Sequence, residues 1–278
     1  MKRLIRCVLV VVCLSVFSFT GALLEASADA EIDSQMKLLA SENPGAANEA
    51  AMKLSKMGKP ALKELIAALK LPMPAPKWAA WSLGLMKDEG ALEGLSEAMK
   101  SENEKIRSFA IAAIGEIGGE KAFKILVSHV DVEAAPNRGD AVFALAKNAD
   151  KSNLEYFRKW LKDAEPAVRS EAVKAVGKLV DKESFGTLAE MMSTEKDPAV
   201  RQRLVIIITS LGDSTISASV RSFLQKPEEE VKINTLSALE ALKDRESVSE
   251  IKKLLETETS EKVKEAAQKA LKTLESVQ

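Results

Sequence analysis

The chain repeats itself every 31 or 32 residues, and that period decides what it can fold into. The clearest copies are Glu165-Pro166-Ala167-Val168-Arg169, continued by Ala172, Ala175-Val176-Gly177 and Leu179, and Asp197-Pro198-Ala199-Val200-Arg201, continued by Leu204, Ile207-Ile208 and Leu211-Gly212. An earlier copy runs Glu104-Lys105-Ile106-Arg107, then Ala110, Ala113-Ile114-Gly115 and Ile117, and weaker ones begin at Asn137-Arg138, Val231-Lys232 and Val263-Lys264. The basic anchors Arg107, Arg138, Arg169, Arg201, Lys232 and Lys264 stand 31, 31, 32, 31 and 32 residues apart. A unit of this size cannot bury its own apolar face and must stack on its neighbours.

Each period holds two helical patterns. Leu62, Leu65, Ile66 and Leu69, or Leu154, Phe157 and Leu161, recur at the i, i+3, i+4, i+7 spacing of one buried helix face. Phe123, Leu126 and Val127, and Ile251, Leu254 and Leu255, repeat the pattern. Gly, Pro, Asn and Asp fall between the patterns, as in Met57-Gly58-Lys59-Pro60 and Lys196-Asp197-Pro198, and punctuate helices. Aromatics at 4% and abundant Ala, Leu, Lys and Glu favour helix over sheet, so the class is all-α.

The D/E-P-x-V-R openings at 165–169 and 197–201, with their A-x-x-A-φ-G continuations, resemble the HEAT-repeat superfamily. They are most similar to the short HEAT-like repeats of the phycobilisome bilin-lyase type. The resemblance implies a right-handed αα superhelical solenoid of about eight HEAT-like repeats, a single domain over residues 29–278. Helix A of each repeat precedes the D-P-x-V-R turn and helix B follows it. Glu31–Leu39 is then the first A helix and Val263–Leu274 the last B helix. The W-x-x-L-G-x-x-Y spacing of tetratricopeptide repeats is absent.

Residues 1–28 read as a cleaved signal peptide: Lys2, Arg3 and Arg6, an apolar run from Cys7 to Phe19, then Ala26-Ser27-Ala28. Val12 before Cys13 does not suit a lipoprotein signal. An uncleaved membrane anchor over Cys7 to Leu24 is the alternative, at the lower length limit for a span. Cleavage takes three of 40 basic and one of 41 acidic residues, leaving 37 against 40, and removes both cysteines. The mature chain then has no thiol for disulfide, redox or metal chemistry. Export, most simply into a bacterial periplasm, is the expected location. The near balance of charge argues against nucleic acid as partner.

No G-x-S-x-G, Walker or G-x-G-x-x-G spacing is present. His129 is the sole histidine, which sets the chain apart from HEAT-repeat hydroxylases that use His-Glu pairs. These observations point to a non-enzymatic chain without metal or cofactor. The basic anchors read as a structural ladder, paired with the periodic acids Glu104, Glu165, Asp197, Glu229 and Glu261.

Laying the B helices on one register separates core from outer face. Val168, Ala172, Ala175, Val176 and Leu179 face the core, while Ser170, Glu171, Lys174 and Lys178 face away. In solenoids of the family this resembles, the outer B face lines the concave groove. Positions equivalent to Glu171 and Lys174 include Trp78 with Trp81, Phe109 and Phe143, with Met52 before them and Leu85 one turn on. If Pro72, Pro74 and Pro76 shift the register, the indoles become core instead; ring accessibility decides. Outward, Met52, Trp78, Trp81, Leu85, Phe109 and Phe143 form an apolar strip that docks a partner. The expected function is a monomeric exported scaffold or adaptor that binds a protein or peptide. The alternative is a bilin-lyase-like or chaperone-like activity on a tetrapyrrole-bearing protein, implied by the resemblance.

Overall fold

Each period folds as two helices. The computed structural model describes residues 27–276, and residues 1–26 of the leader lie outside them. Among the described residues there are sixteen α-helices and no strand. The first, α1, covers 27–39, and α2 is Pro44–Met57. Then come α3 (Lys59–Ala68), α4 (Ala75–Met86), α5 (Leu92–Ala98), α6 (Glu104–Ile117), α7 (Gly119–Val130), α8 (Arg138–Lys147) and α9 (Leu154–Trp160). The remainder are α10 (Pro166–Lys178), α11 (Phe185–Thr194), α12 (Pro198–Leu211), α13 (Ser214–Ser222), α14 (Glu229–Leu242), α15 (Val248–Thr257) and α16 (Glu261–Ser276). Odd numbers are A helices and even numbers B helices, which makes eight αα repeats. No helix among the described residues is long and apolar enough to cross a membrane.

Starts and stops follow local chemistry. Asn43, Asn103 and Asp197 accept backbone N–H groups at the starts of α2, α6 and α12. Gly212 stops α12 in the left-handed region, at φ 60°. Val180 holds the equivalent place after α10 at φ 52°, where a β-branched residue is strained.

The chain forms two compact units, divided between Leu126 and Val127 inside α7. In the first, α2 packs on α4 and α4 on α6, around the fully buried Leu54, Leu65, Leu83, Leu95, Ile111 and Ile114. Ser82 Oγ lies 3.0 Å from Ala51 O and 2.9 Å from Trp78 O, so this buried hydroxyl is satisfied one period back and within its own helix. In the second, α8, α10 and α12 pack in succession, as do α14 and α16. Phe157 and Trp160 meet edge to face at 5.5 Å in its core, and the indole N–H donates to Asp131 Oδ1 at 3.3 Å. Val168, Ala172, Ala175 and Val176 of α10 are buried, and Leu179 is half-buried.

The basic anchors tie B helices to the loops beside them, and Arg169 reaches two loops at once. Arg169 donates through one terminal nitrogen to Asp163 O and Ala164 O, both at 2.8 Å. Its Nε and other terminal nitrogen grip both oxygens of Glu195, each at 2.7 Å. Arg107 takes Ser101 O and Glu102 O, and Arg201 takes Glu195 O and Lys196 O, in the same way. Carbonyls left over at the A-to-B turn are thereby satisfied. Arg138 bonds Val130 O and both oxygens of Asp163, Lys232 meets Glu258 at 2.6 Å, and Lys264 meets Glu261 at 2.8 Å.

Of the acids assigned to this ladder, Glu261 does meet Lys264, but Glu165, Asp197 and Glu229 need correcting. Glu165 stands only at 3.4 Å from Arg138, Asp197 instead caps α12, and Glu229 instead takes Ser260 Oγ and faces Lys262. The principal partners come earlier in the loop: Asp163, Glu195 and Glu258. Each also accepts the backbone N–H two residues on, from Glu165, Asp197 and Ser260 respectively, at 2.9 Å. Asp197 is committed to its own first turn, whereas Asp163, Glu195 and Glu258, each two places before a cap, reach the neighbouring repeat's cation. At Glu195 burial pushes the carboxyl up, but hydrogen bonds from Arg169 and the Asp197 N–H outweigh it and hold it low.

Two outcomes follow from this ladder. Arg169→Ala strands the buried Glu195 carboxylate and should cost about 3 kcal/mol in urea denaturation. Glu258 is lowered from 4.5 to about 2 by Lys232 and the Ser260 N–H. Its contribution is therefore complete above pH 4.5 and is lost as pH falls towards 2. Urea midpoints measured across that window should fall less steeply in Glu258→Gln than in the parent.

Candidate functional site

Helix α4 opens on proline rather than on a polar cap. Pro74 occupies the N-cap without a side-chain cap, Pro76 sits in the first turn, and no acid is present there. The Met73–Pro74 peptide is cis. Ala75, Ala79, Ala80, Ser82, Leu83 and Gly84 are buried, which leaves the large side chains on the opposite side. Trp81 is 37% exposed and Leu85 46%, with Trp78 half-buried between α4 and α6. Neither indole is core. Their centroids stand 5.9 Å apart at 73°, edge to face, and Lys77 Nζ lies 4.4 Å from the Trp78 ring centre.

Phe109, half-buried on α6, faces these rings across a groove of about 470 Å³. Gly84, Ala112 and Ala113 also line it, with Lys77 and Glu116 as its charged members. Small residues make the groove possible. A Cβ on Gly84 would stand 3.3 Å from Ala113 Cα and from Glu116 Cβ, so α4 and α6 approach where glycine permits. An aromatic wall over a floor of small side chains suits apolar anchors, and the volume falls within the range of ligand pockets, about 300–1,000 Å³.

The structure thus gathers Trp78, Trp81, Leu85 and Phe109 around one groove. Met52 is 43% exposed on α2 and is not among the lining residues. Phe143, 50% exposed, belongs to the second unit and borders a different depression with Asp140, Glu171 and Asp197. Lys174 Nζ covers its ring at 4.6 Å. Lys77, Gly84, Ala113 and Glu116 are lining residues that the register argument passes over. The Gly84 and Ala113 signal is in the sequence, as small residues on facing helices, and reads there only as core.

A family model described as HEAT repeats matches residues 74–146, 133–206 and 187–272. The chain belongs to the HEAT-repeat family. Deoxyhypusine hydroxylase-B of rice, Oryza sativa subsp. japonica, is 28% identical over 124 residues, 43% of this chain and 41% of that protein. The HEAT-repeat chain therefore spans less than half the length of this curated relative. The complex of CpcE and CpcF of phycocyanin lyase from Nostoc sp. PCC7120 aligns at 17% identity and TM-score 0.40, over 87% of this chain and 94% of that one. Human deoxyhypusine hydroxylase in complex with glycerol aligns at 18% identity and TM-score 0.38, over 92% and 98%.

These relatives overturn two expectations. A hydroxylase stands among the sequence relatives, so the reading of a non-enzymatic chain does not hold. Likeness to a hydroxylase also exists despite the single histidine. A His-Glu metal site does not fit the donors of this HEAT-repeat chain. His129 is the sole histidine and its Nε2 is 2.8 Å from Pro136 O. No cluster of three or more His, Cys, Asp or Glu able to hold a metal occurs among the described residues, and no metal-dependent step is assigned.

The two kinds of tryptophan separate experimentally. Trp81→Ala should change unfolding free energy by less than about 1 kcal/mol, whereas Trp160→Ala, in the core, should cost about 3–5 kcal/mol.

Proposed function

We propose that this HEAT-repeat chain acts by docking a polypeptide in the groove between α4 and α6, with Trp78, Trp81, Leu85 and Phe109 as the anchoring surface. The observation that carries this reading is the groove itself: two indoles and a phenyl ring around a floor of small residues, reachable from solvent. Trp is a leading hot-spot residue, and contiguous exposed apolar surface marks interaction sites. The chain works as a monomer, exported most simply to a bacterial periplasm; support for export is the leader pattern at residues 1–28.

A second reading adds chemistry to the docking. Lyase-like or chaperone-like action on a tetrapyrrole-bearing protein is supported by the enzymes among the relatives and by the flat aromatic walls, which suit a planar chromophore. Titration with bilin or haem distinguishes the two: a saturable absorbance shift lost in Trp81→Ala supports the second, and an unchanged spectrum removes it.

The test of docking uses the purified chain as bait in a periplasmic extract. Trp81→Ala should weaken capture by about 2 kcal/mol, roughly thirtyfold in Kd. Ala112→Gln, which fills the exposed floor without removing an aromatic, should do the same. Equal recovery by parent and both variants would refute the groove as the binding surface.

A further inference from the structure

We propose that the occupant of this groove is an acidic amphipathic peptide segment, its apolar anchors between Trp78, Trp81, Leu85 and Phe109 and its carboxylates at the Lys77 end. This rests on the docking reading above and adds the chemistry of the partner.

Charge along the groove is asymmetric. From Leu65 to Lys87 the sequence has three lysines, Lys70, Lys77 and Lys87, and no Asp or Glu, in a chain of 40 basic and 41 acidic residues. Lys70 is turned to the A-helix side, where it borders a different hollow with Glu93 and Glu97. Lys77 is therefore the cation of the groove. Its ammonium rests on the Trp78 ring and meets no carboxylate among the described residues.

The backbone adds to this asymmetry. Asn43, Asn103 and Asp197 cap the starts of α2, α6 and α12. Helices α4 and α10 alike have no side-chain cap and no acid in the first turn, but the N-cap residue of α10 is Glu165 and that of α4 is the uncharged Pro74. The positive end of the α4 dipole stays uncompensated beside Lys77. Trp78 and Phe109 near the starts of α4 and α6 line the same groove as Gly84 and Ala113 near their ends, as two parallel B helices require. Their amino ends share one end of the groove, and Glu116 marks the other.

A ligand that fits both surface and field carries apolar groups in the middle and negative charge at the Lys77 end. A basic segment would be repelled there. The α4 wall from Lys77 to Leu85 is about 12 Å long, so two apolar anchors one helical turn apart fill it, with the carboxylates a turn further on. Exposed Leu71 and Met73 precede α4 and make an anionic lipid surface the rival occupant. Concavity favours the peptide: a flat bilayer does not reach a floor made by Gly84 and Ala112.

The experiment is selection of a random twelve-residue peptide display library on the full chain, with Ala112→Gln as counter-target. Peptides that bind the parent and lose at least tenfold on Ala112→Gln should pair apolar anchors with net negative charge. Lys77→Glu should cut their affinity at least tenfold and shift the selected set towards basic sequences. Selected peptides that are neutral or basic, or acidic ones indifferent to Lys77→Glu, overturn the proposed chemistry while leaving docking in the groove intact. No enrichment sensitive to Ala112→Gln overturns both. So does binding of the chain to phosphatidylglycerol vesicles, lost in Trp81→Ala, in place of any peptide.

Discussion

A guanidinium that closes one turn and grips the next repeat's loop is the interaction on which the second unit depends. Arg169 shows it fully: two carbonyls of its own turn on one nitrogen, both oxygens of Glu195 on the others. Helix ends leave carbonyls without partners, and short repeats produce many such ends in little space. Supplying the donor from the following helix solves that problem at Arg107, Arg169 and Arg201. Anchoring the same donor to the next repeat fixes spacing, because a bidentate Arg–carboxylate pair tolerates little displacement. Lysine at positions 232 and 264 keeps the charge but loses the fork.

The groove of the first unit follows from a different economy of space. Where glycine and alanine face each other, α4 and α6 come close and leave a shallow floor. Large aromatic residues then have no room inward and stand at its sides. Burial of Ala79, Ala80 and Leu83 commits one side of α4 to the core, which leaves Trp78, Trp81 and Leu85 to the other. The prolines set where α4 starts without turning this pattern inside out.

Much of this was legible in the residues, for reasons that can be named. The period is visible because every repeat meets the same packing demand, so Arg107, Arg169 and Arg201 recur at matching places. Outer and inner faces of α4 were legible because a helix turns by a constant angle, and a shift of one residue would have put Leu83 outside. The acids of the ladder were not, because loop side chains follow no helical period: Glu195 and Asp197 look equivalent in a string of letters. Backbone geometry alone tells the capping residue from the bridging one. Nor did the sequence show that Met52 and Phe143 stand apart from the groove, since a shared register says which way a side chain points and not which hollow it borders. Missing motifs misled the reading of activity, because a chain with none of them still matches a hydroxylase over 124 residues.

Many side-chain bonds between repeats span about one period: 31 residues from Ser82 to Ala51, 31 from Ser260 to Glu229, 26 from Arg169 to Glu195. Short reach of this kind has a genealogical consequence. A gene that duplicates or drops one whole period leaves nearly every bond in frame, because each residue still finds the neighbour it was shaped against. Such a lineage can lengthen or shorten by modules, and it can rewrite a few surface letters on one module without disturbing those on either side.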